Sequence, residues 1–351
     1  MNSKNILVLS VQVPFTRGGA ELLVDQLVTE LKQAGHCVDT VEIPFSALPK
    51  EKIIDQIAIW RALDLSSFSG REVDLLICTK FPSYVVSHPN KVLWLIHQHR
   101  QAYELCNTRF GDFSADVEDE TLRKMIVEAD DASLRECKNI FTISRNVSQR
   151  LKRFNDVDSQ VLEPPLPFSG RYYQGEKGDY ILSVGRLCSI KRVDLIIRAL
   201  PLIDHSLKLK IVGSSDEPAI EEYLMSEVRK HNQQERVEFL GRVETEKLLE
   251  LFANCFGVFY APFDEDYGFV TLESLASGKP LITCEDSGTV LDYVEHEKNA
   301  LIVPPEEAEI SMAFNRLVSD PALYQALSAE ASKAEFSSDW NKVVEQLCRD
   351  L

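Results

Sequence analysis

The stretch from Asp179 to Leu200, D-Y-I-L-S-V-G-R-L-C-S-I-K-R-V-D-L-I-I-R-A-L, decides the fold. Six residues (179–184) make an apolar run of strand length, the run ends at Gly185, and a helical pattern follows over 191–200. A strand that turns through glycine into a helix is the repeating unit of a parallel sheet wrapped by helices. The alternation continues with strand 207–212, helix 217–231, strand 236–240, helix 245–253, strand 256–260, helix 268–277 and strands 280–284 and 300–303. Helices over 306–350 close the chain.

Upstream of this stretch lies E-P-P-L-P-F-S-G (163–170), polar as far as Gly178, whose prolines and glycines do not fit a continuous helix or strand. Before that break the same alternation runs through strand 5–13, helix 19–34, strand 37–43, helix 50–63 and strands 73–79 and 91–96. Helices near 99–106 and over 120–136, strand 139–143 and helix 145–154 complete it. In helix 19–34, Leu23, Val24, Leu27, Val28 and Leu31 share one face, which should lie on the sheet. The expected architecture is therefore α/β: two tandem doubly wound, Rossmann-like domains at 1–165 and 179–335, a linker at 166–178, and a ligand site in the cleft between the carboxyl ends of the two sheets. A length of 351 residues suits two domains at roughly 150 residues each.

Composition excludes several classes. At 44% hydrophobic and 26% charged residues the chain is neither disordered nor low-complexity. A net charge of -17 argues against nucleic acid as a partner. The first 165 residues hold 19 basic and 23 acidic residues and the remainder 19 and 32, so the deficit sits mostly in the second half. Arg145, Arg150, Lys152 and Arg153 cluster on one helix, as a solvated face or as a weak contact with anionic lipid or phosphate. No apolar run reaches the roughly 18 residues of a membrane span, and M-N-S-K-N-I-L-V-L-S-V-Q lacks the marks of a signal peptide. The expectation is a cytoplasmic protein, with eight cysteines, none in C-x-x-C spacing, kept as reduced thiols.

Three loops carry candidate chemistry. T-R-G-G-A-E (16–21) joins the first strand to the first helix, where Gly18 and Gly19 allow close approach of an anion to backbone N–H groups; a plain tight turn reads the same way. S-V-G-R-L-C-S-I-K (183–191) sets Arg186 and Lys191 around the end of a strand, suiting a diphosphate or, alternatively, simple surface charge. A-P-F-D-E-D-Y-G-F-V-T-L-E-S-L-A-S-G-K-P-L-I (261–282) places Glu265 in a loop, opens a helix near Gly268 and sets Glu273 about one and a half turns along it. Carboxylates for hydroxyls around a positive helix end suit a sugar nucleotide. Asp264-Glu265-Asp266 is also the pattern of a D-x-D metal site, but two tandem domains with both cations favour a site with no metal.

E-D-Y-G-F-V-T-L-E followed by A-S-G-K-P resembles the Glu-x7-Glu signature of retaining GT-B glycosyltransferases of family 4. R-G-G-A-E resembles that family's early glycine loop, and V-G-R-L-C-S-I-K-R-V-D-L-I-I-R-A-L its phosphate-binding segment. F-S-S-D-W (336–340) resembles the start of its last helix, which implies that 336–351 returns to the first domain. The resemblance implies Arg186 and Lys191 on the donor diphosphate, Glu273 on the ribose and Glu265 on the transferred sugar. It implies the amides of Gly268, Phe269 and Val270 near sugar and phosphate, and Gly18 and Gly19 near the distal phosphate. W-L-I-H-Q-H-R (94–100) supplies His97, with His99 second, for a histidine that the family often carries in the first domain; a core or surface histidine is the other reading. The chain departs from the family at Gln98, where many members have Asp, and at Asp266 and Tyr267, where Gly and Phe are usual.

The implied function is metal-independent, cofactor-free transfer of a sugar from a nucleotide-diphosphate donor, with retention, to a glycan or lipid-linked acceptor in surface polysaccharide synthesis. A sugar-nucleotide epimerase, a phosphorylase or a non-catalytic donor-binding subunit are the alternatives.

Overall fold

The computed structural model describes residues 3–16, 18–215 and 217–349. They form two compact units, one from the described residues within 1–165 and 338–351 and the other from those within 166–337.

The first unit runs β1 (Asn5–Gln12), α1 (Gly19–Gln33), β2 (Cys37–Pro44), α2 (Lys52–Ala62), a hairpin of β3 (Ser67–Phe68) and β4 (Arg71–Glu72), then β5 (Leu75–Lys80) and β6 (Lys91–His97). It continues through α3 (Val117–Arg135), β7 (Asn139–Thr142), α4 (Arg145–Asn155) and β8 (Gln160–Val161). Its main sheet has the order β2-β1-β5-β6-β7-β8, with parallel neighbours. Central strands covered on both faces read as continuous apolar runs, and β5 and β6 are buried along almost their whole length. Leu23, Val24, Leu27 and Leu31 of α1 are buried, at about 1.5–3 kcal/mol for each large side chain removed from water.

One lysine lies inside this core. Lys91 is fully buried because its ammonium donates to the carbonyls of Tyr84, Val86 and Ser133 at 2.8, 3.0 and 3.0 Å and lies 3.3 Å from Glu136. Its three protons therefore all find acceptors. The expected helix at 99–106 is instead a single turn, Arg100–Ala102. α3 begins at Val117, earlier than the apolar pattern suggests, because Asp116 accepts a hydrogen bond from the Asp119 amide at 2.8 Å and caps the helix.

The second unit runs β9 (Tyr180–Val184), α5 (Val193–Ala199), β10 (Lys208–Val212), α6 (Pro218–Lys230), β11 (Val237–Gly241), α7 (Thr245–Ala253), β12 (Gly257–Phe259) and α8 (Phe269–Ala276). It ends with β13 (Leu281–Cys284), α9 (Val290–Tyr293), β14 (Ala300–Val303), α10 (Glu307–Ser319) and α11 (Pro321–Ala331). Its parallel sheet has the order β11-β10-β9-β12-β13-β14. Strand order reverses between β9 and β12, and a doubly wound sheet opens a crevice for a ligand at that point. Both units are thus Rossmann-like.

α12 (Trp340–Leu347) belongs to the first unit, where Val343, Val344 and Leu347 are buried and the Trp340 ring lies edge-on to Trp94 at 6.1 Å. Residues 350 and 351, at the end of the expected final helix, lie outside the described residues.

Residues 166–178, expected as a linker, lie along the second unit. The Gly175 amide donates to the Ala253 carbonyl at 2.9 Å, Gln174 to the Ser328 hydroxyl at 2.8 Å, and Lys279 to the Glu176 carbonyl at 2.9 Å. The glycines serve close approach here: a Cβ on Gly178 would lie 2.1 Å from the Asn254 carbonyl oxygen.

Candidate active site

The reversal point in the second sheet is built from three loops. After β9, Gly185 takes φ +145° and lies against Gly213, where a Cβ would come within 1.9 Å of the Gly185 carbonyl oxygen. Two glycines let the ends of β9 and β10 close together there. The chain then makes one 3-10 turn, Ser189–Lys191, which carries the Lys191 ammonium toward the loop after β12. That ammonium forms a close ion pair with the Glu265 carboxylate and donates to the Tyr260 hydroxyl at 3.0 Å.

The loop after β12 is held from both sides. The Phe263 amide donates to the Ile190 carbonyl at 2.8 Å, and the Asp264 amide to the Asp286 carbonyl at 2.9 Å. Arg192 fixes its opposite edge: Nε donates to the Ala261 carbonyl at 2.6 Å, Nη2 to Pro262 at 3.1 Å, and the guanidinium grips Asp286 at 2.6 and 2.7 Å. This bidentate contact holds Arg192 in the left-handed region at φ +53°. No local pattern in the sequence links Arg192 to Asp286, which stand 94 residues apart.

At the start of α8, Gly268 takes φ +83° and leaves the helix end without a side-chain cap. A Cβ there would lie 3.4 Å from both Glu265 Cγ and Tyr260 Cε1, so the uncapped end lies directly beside the Lys191–Glu265 pair. The helix dipole and amides of Phe269 and Val270 make that end favourable for an anion. Glu273, further along α8, is buried and accepts a hydrogen bond from the Tyr172 hydroxyl at 3.1 Å. Burial pushes its carboxyl up to about 7, and the Tyr172 bond works in the opposite direction. For Lys191 burial disfavours the charge, yet the Glu265 carboxylate outweighs burial and holds the ammonium above its usual range.

The structure thus brings Lys191, Glu265 and Gly268 together around Tyr260, a residue that sequence reading did not select. Lys191, expected on a diphosphate, and Glu265, expected on a sugar, are paired with each other. Arg186 is exposed on the loop after β9. Asp264, Glu265 and Asp266 do not form a metal cluster: among the described residues no three His, Cys, Asp or Glu side chains are placed to hold a metal.

In the first unit the candidate residues have partners within that unit. Gly18 does not present a vacant amide, since its N–H donates to the Glu21 carboxylate at 2.8 Å, and Glu21 is paired with the buried ammonium of Lys80 at 2.6 Å. The chain therefore supplies its own anion at the start of α1, beside Gly19. Burial raises the Glu21 carboxyl, but Lys80 and the Gly18 amide outweigh it and leave it below its usual value. Arg17 of this loop lies outside the described residues.

His97 sits at the end of β6 with Nδ1 2.9 Å from the Gln98 carbonyl, an arrangement that leaves Nε2 as acceptor when Nδ1 is protonated. His99, the second candidate, is buried among the rings of Phe45, Phe81 and Phe113 with Nε2 unpartnered. The basic cluster on α4 is not a uniform exposed face either. Arg150 is buried against Glu104 at 3.1 Å, and Lys152 is paired with Asp156 and Asp158 at 2.9 and 3.2 Å. No helix among the described residues is long and apolar enough to cross a membrane.

Burial pushes the His99 imidazole down to about 4, whereas an unfolded histidine titrates near 6.5. The unfolded chain therefore binds the extra proton first, and His99 lowers stability as pH falls from about 6.5 to about 4. The expected penalty is about 2 kcal/mol at pH 5 relative to pH 8. Asp130, pushed up by burial to about 7, has the opposite sign and favours the folded state toward acid. Urea unfolding of wild type and His99→Phe at both pH values cancels Asp130 in the difference. A pH-independent difference between the two proteins would contradict the burial of a neutral imidazole.

Residues 171–334 match the family described as glycosyl transferases group 1. The match covers a little less than half of the chain. It contains Arg186, Lys191, Tyr260, Glu265, Gly268 and Glu273, the whole constellation of the second unit. Across the full chain, an uncharacterized glycosyltransferase of Methanocaldococcus jannaschii is 24% identical over 94% of this chain and 93% of its own length. Among solved structures, a sucrose-phosphate synthase from Thermosynechococcus elongatus superposes with a TM-score of 0.79 at 18% identity, covering 99% of this chain and 98% of that one. The Anabaena protein HepE, solved with UDP-glucose, gives 0.73 at 15% identity with 98% of both chains covered. Two Rossmann-like domains with these neighbours are the GT-B architecture of glycosyltransferases.

Proposed function

We propose that the chain is a metal-independent, retaining glycosyltransferase that moves a hexose or related sugar from a nucleotide diphosphate to a hydroxyl of a glycan or lipid-linked acceptor. Its place would be cytoplasmic synthesis of surface polysaccharide. The observation that carries this reading is the Lys191–Glu265 pair set against the uncapped start of α8 at the reversal point of the sheet. A bound diphosphate would draw the Lys191 ammonium and the α8 amides, with Arg186 closing from the loop after β9. Glu265, released from part of its pairing, then faces the hydroxyls of the transferred sugar, while Glu273 takes those of the ribose. The UDP-glucose bound to the Anabaena neighbour supports a donor of this class.

Thermal denaturation with UDP-, GDP-, ADP- and dTDP-sugars tests donor binding directly. A true donor at 100 times its dissociation constant adds roughly 2.7 kcal/mol to stability, and no shift with any of them would reject the reading. Two cations and a helix end already oppose the diphosphate charge, so EDTA is expected to leave transfer activity within about twofold of the untreated enzyme. Complete loss, restored by Mg²⁺ or Mn²⁺, would assign Asp264-Glu265-Asp266 to a metal instead.

A further inference from the structure

Tyr172 lies in the segment 166–178, which sequence composition marks as a connector, yet its hydroxyl reaches across 101 residues of chain to Glu273 Oε1 at 3.1 Å. Its ring lies edge-on to Phe252 of α7 at 6.4 Å, so the phenol is fixed on the body of the second unit. The neighbours of this segment, from Gly175 on Ala253 to Lys279 on Glu176, hold its backbone in place. A phenol costs little entropy to place when its backbone and ring are already held.

The surroundings of Glu273 leave Tyr172 as its polar partner. α8 lies against β13, α9 and α11. On α11, Tyr324 donates to the Phe256 carbonyl at 2.8 Å, and Glu330 is paired with Lys333. On α9, the Tyr293 ring lies against Tyr267, and Asp292 is on the same short helix. Cys284 ends β13, with Arg192, Asp286 and Glu285 as its charged neighbours. Arg171, beside Tyr172, is committed to Glu246, and Lys279 to the Glu176 carbonyl. Among the described residues Tyr172 alone supplies a side-chain hydrogen bond to Glu273.

We propose that Tyr172 is a positioning residue for the donor site, holding the Glu273 carboxylate ionised and oriented so that it accepts hydrogen bonds from the ribose of a nucleotide sugar. This rests on the assignment of Glu273 to the ribose under the proposed function. A hydrogen bond donated to a carboxylate stabilises its charged form, and a buried carboxylate with no other partner depends on that bond. Tyr172 stays a donor throughout, because burial and then the Glu273 charge push its own ionisation well above the usual phenol range.

The test is calorimetric titration of the full chain with whichever of UDP-, GDP- and ADP-glucose binds most tightly, from pH 6 to pH 9. None of these donors titrates its diphosphate in that range. Wild-type affinity is expected to rise with pH around a midpoint near 7, the value to which burial pushes Glu273. Tyr172→Phe keeps the ring against Phe252 and is expected to move the midpoint up by about one unit, weakening binding about fivefold at pH 7 and less than twofold at pH 9. Glu273→Gln is expected to bind more weakly with a flat profile, and Tyr172→Phe added to it should change nothing further. A Tyr172→Phe midpoint equal to wild type overturns the positioning role while leaving Glu273 on the ribose. Full affinity in Glu273→Gln overturns the ribose assignment itself, and with it the role of Tyr172.

Discussion

Lys191→Ala is expected to lower kcat by about 10²–10³-fold, the range for removing one preorganised group that stabilises charge in a transition state. The leaving diphosphate gains negative charge as the glycosidic bond breaks, so a fixed ammonium is worth more at that moment than when the donor first binds. Its position is set before the donor arrives, by Glu265 and by the Tyr260 hydroxyl at 3.0 Å. The same pairing gives the substitution a second effect. Lys191 and Glu265 are only 19% and 13% exposed, and removing the ammonium leaves a poorly solvated carboxylate without its cation. A loss of fold could then masquerade as a loss of catalysis. The double substitution Lys191→Met, Glu265→Gln removes both charges and leaves no uncompensated carboxylate, so it should fold while remaining inactive. Arg186→Ala, at an exposed position, should lower kcat over a similar range with little change in unfolding midpoint. Near wild-type turnover in a folded Lys191→Ala or Arg186→Ala protein would take that residue out of the site.

What the sequence made legible follows the range of the interactions involved. The strands at 5–13, 73–79, 91–96, 179–184 and 207–212 are visible because a central parallel strand is apolar throughout, and each is present within a few residues. β3, β4 and β8 have two residues each and carry too few positions to show a period, so they were not expected. Around the candidate site, Lys191, Glu265 and Gly268 were legible because glycines and charges mark the loops that follow strands. Their mutual geometry was not. The pairing of Lys191 with Glu265 spans 74 residues, that of Tyr172 with Glu273 spans 101, and Arg192 with Asp286 spans 94. No local pattern encodes such contacts. In the first unit, too, the contacts that surround the candidate residues come from distant segments. Gly18 and Gly19 looked open because Lys80, which fixes Glu21 across the end of α1, lies 59 residues away. His99 looked like a site residue because three phenylalanines from separate segments enclose it. Glu21 itself stands in plain view, since an acid three residues after an N-cap is placed to accept from the N-cap amide, here that of Gly18.

The transferred sugar is expected to keep its anomeric configuration, and Glu265→Gln is expected to reduce kcat by at least about 10²-fold while forming no covalent intermediate. Three routes compete, and the residues at hand weigh differently on each. Inversion requires an enzyme base on the acceptor side to take the hydroxyl proton. His97 would be that base; His99, buried neutral among aromatic rings, does not serve. A double displacement requires a carboxylate free to attack the anomeric carbon. Glu265 is a poor nucleophile for that role, because its charge is shared with the Lys191 ammonium and its backbone is fixed through the Ser287 carbonyl at 3.3 Å and the Thr289 amide at 3.1 Å. The third route uses the departing diphosphate itself as proton acceptor on the face from which it leaves, so that the acceptor hydroxyl enters on that same face. It asks of the protein only what this site offers, namely cations and helix amides to hold the leaving group and a rigid carboxylate to hold the sugar. On this route His97→Ala loses far less activity than a sole catalytic base would. Glu265→Gln keeps the shape of the side chain but loses both the ion pair and the charged acceptor for sugar hydroxyls, so its damage comes through positioning. Proton NMR of freshly formed product from an α-linked donor reads the outcome from the anomeric coupling, and mass spectrometry of the enzyme during turnover looks for a glycosyl adduct. A β-linked product would reject retention, and an adduct on Glu265 would replace same-face transfer with double displacement.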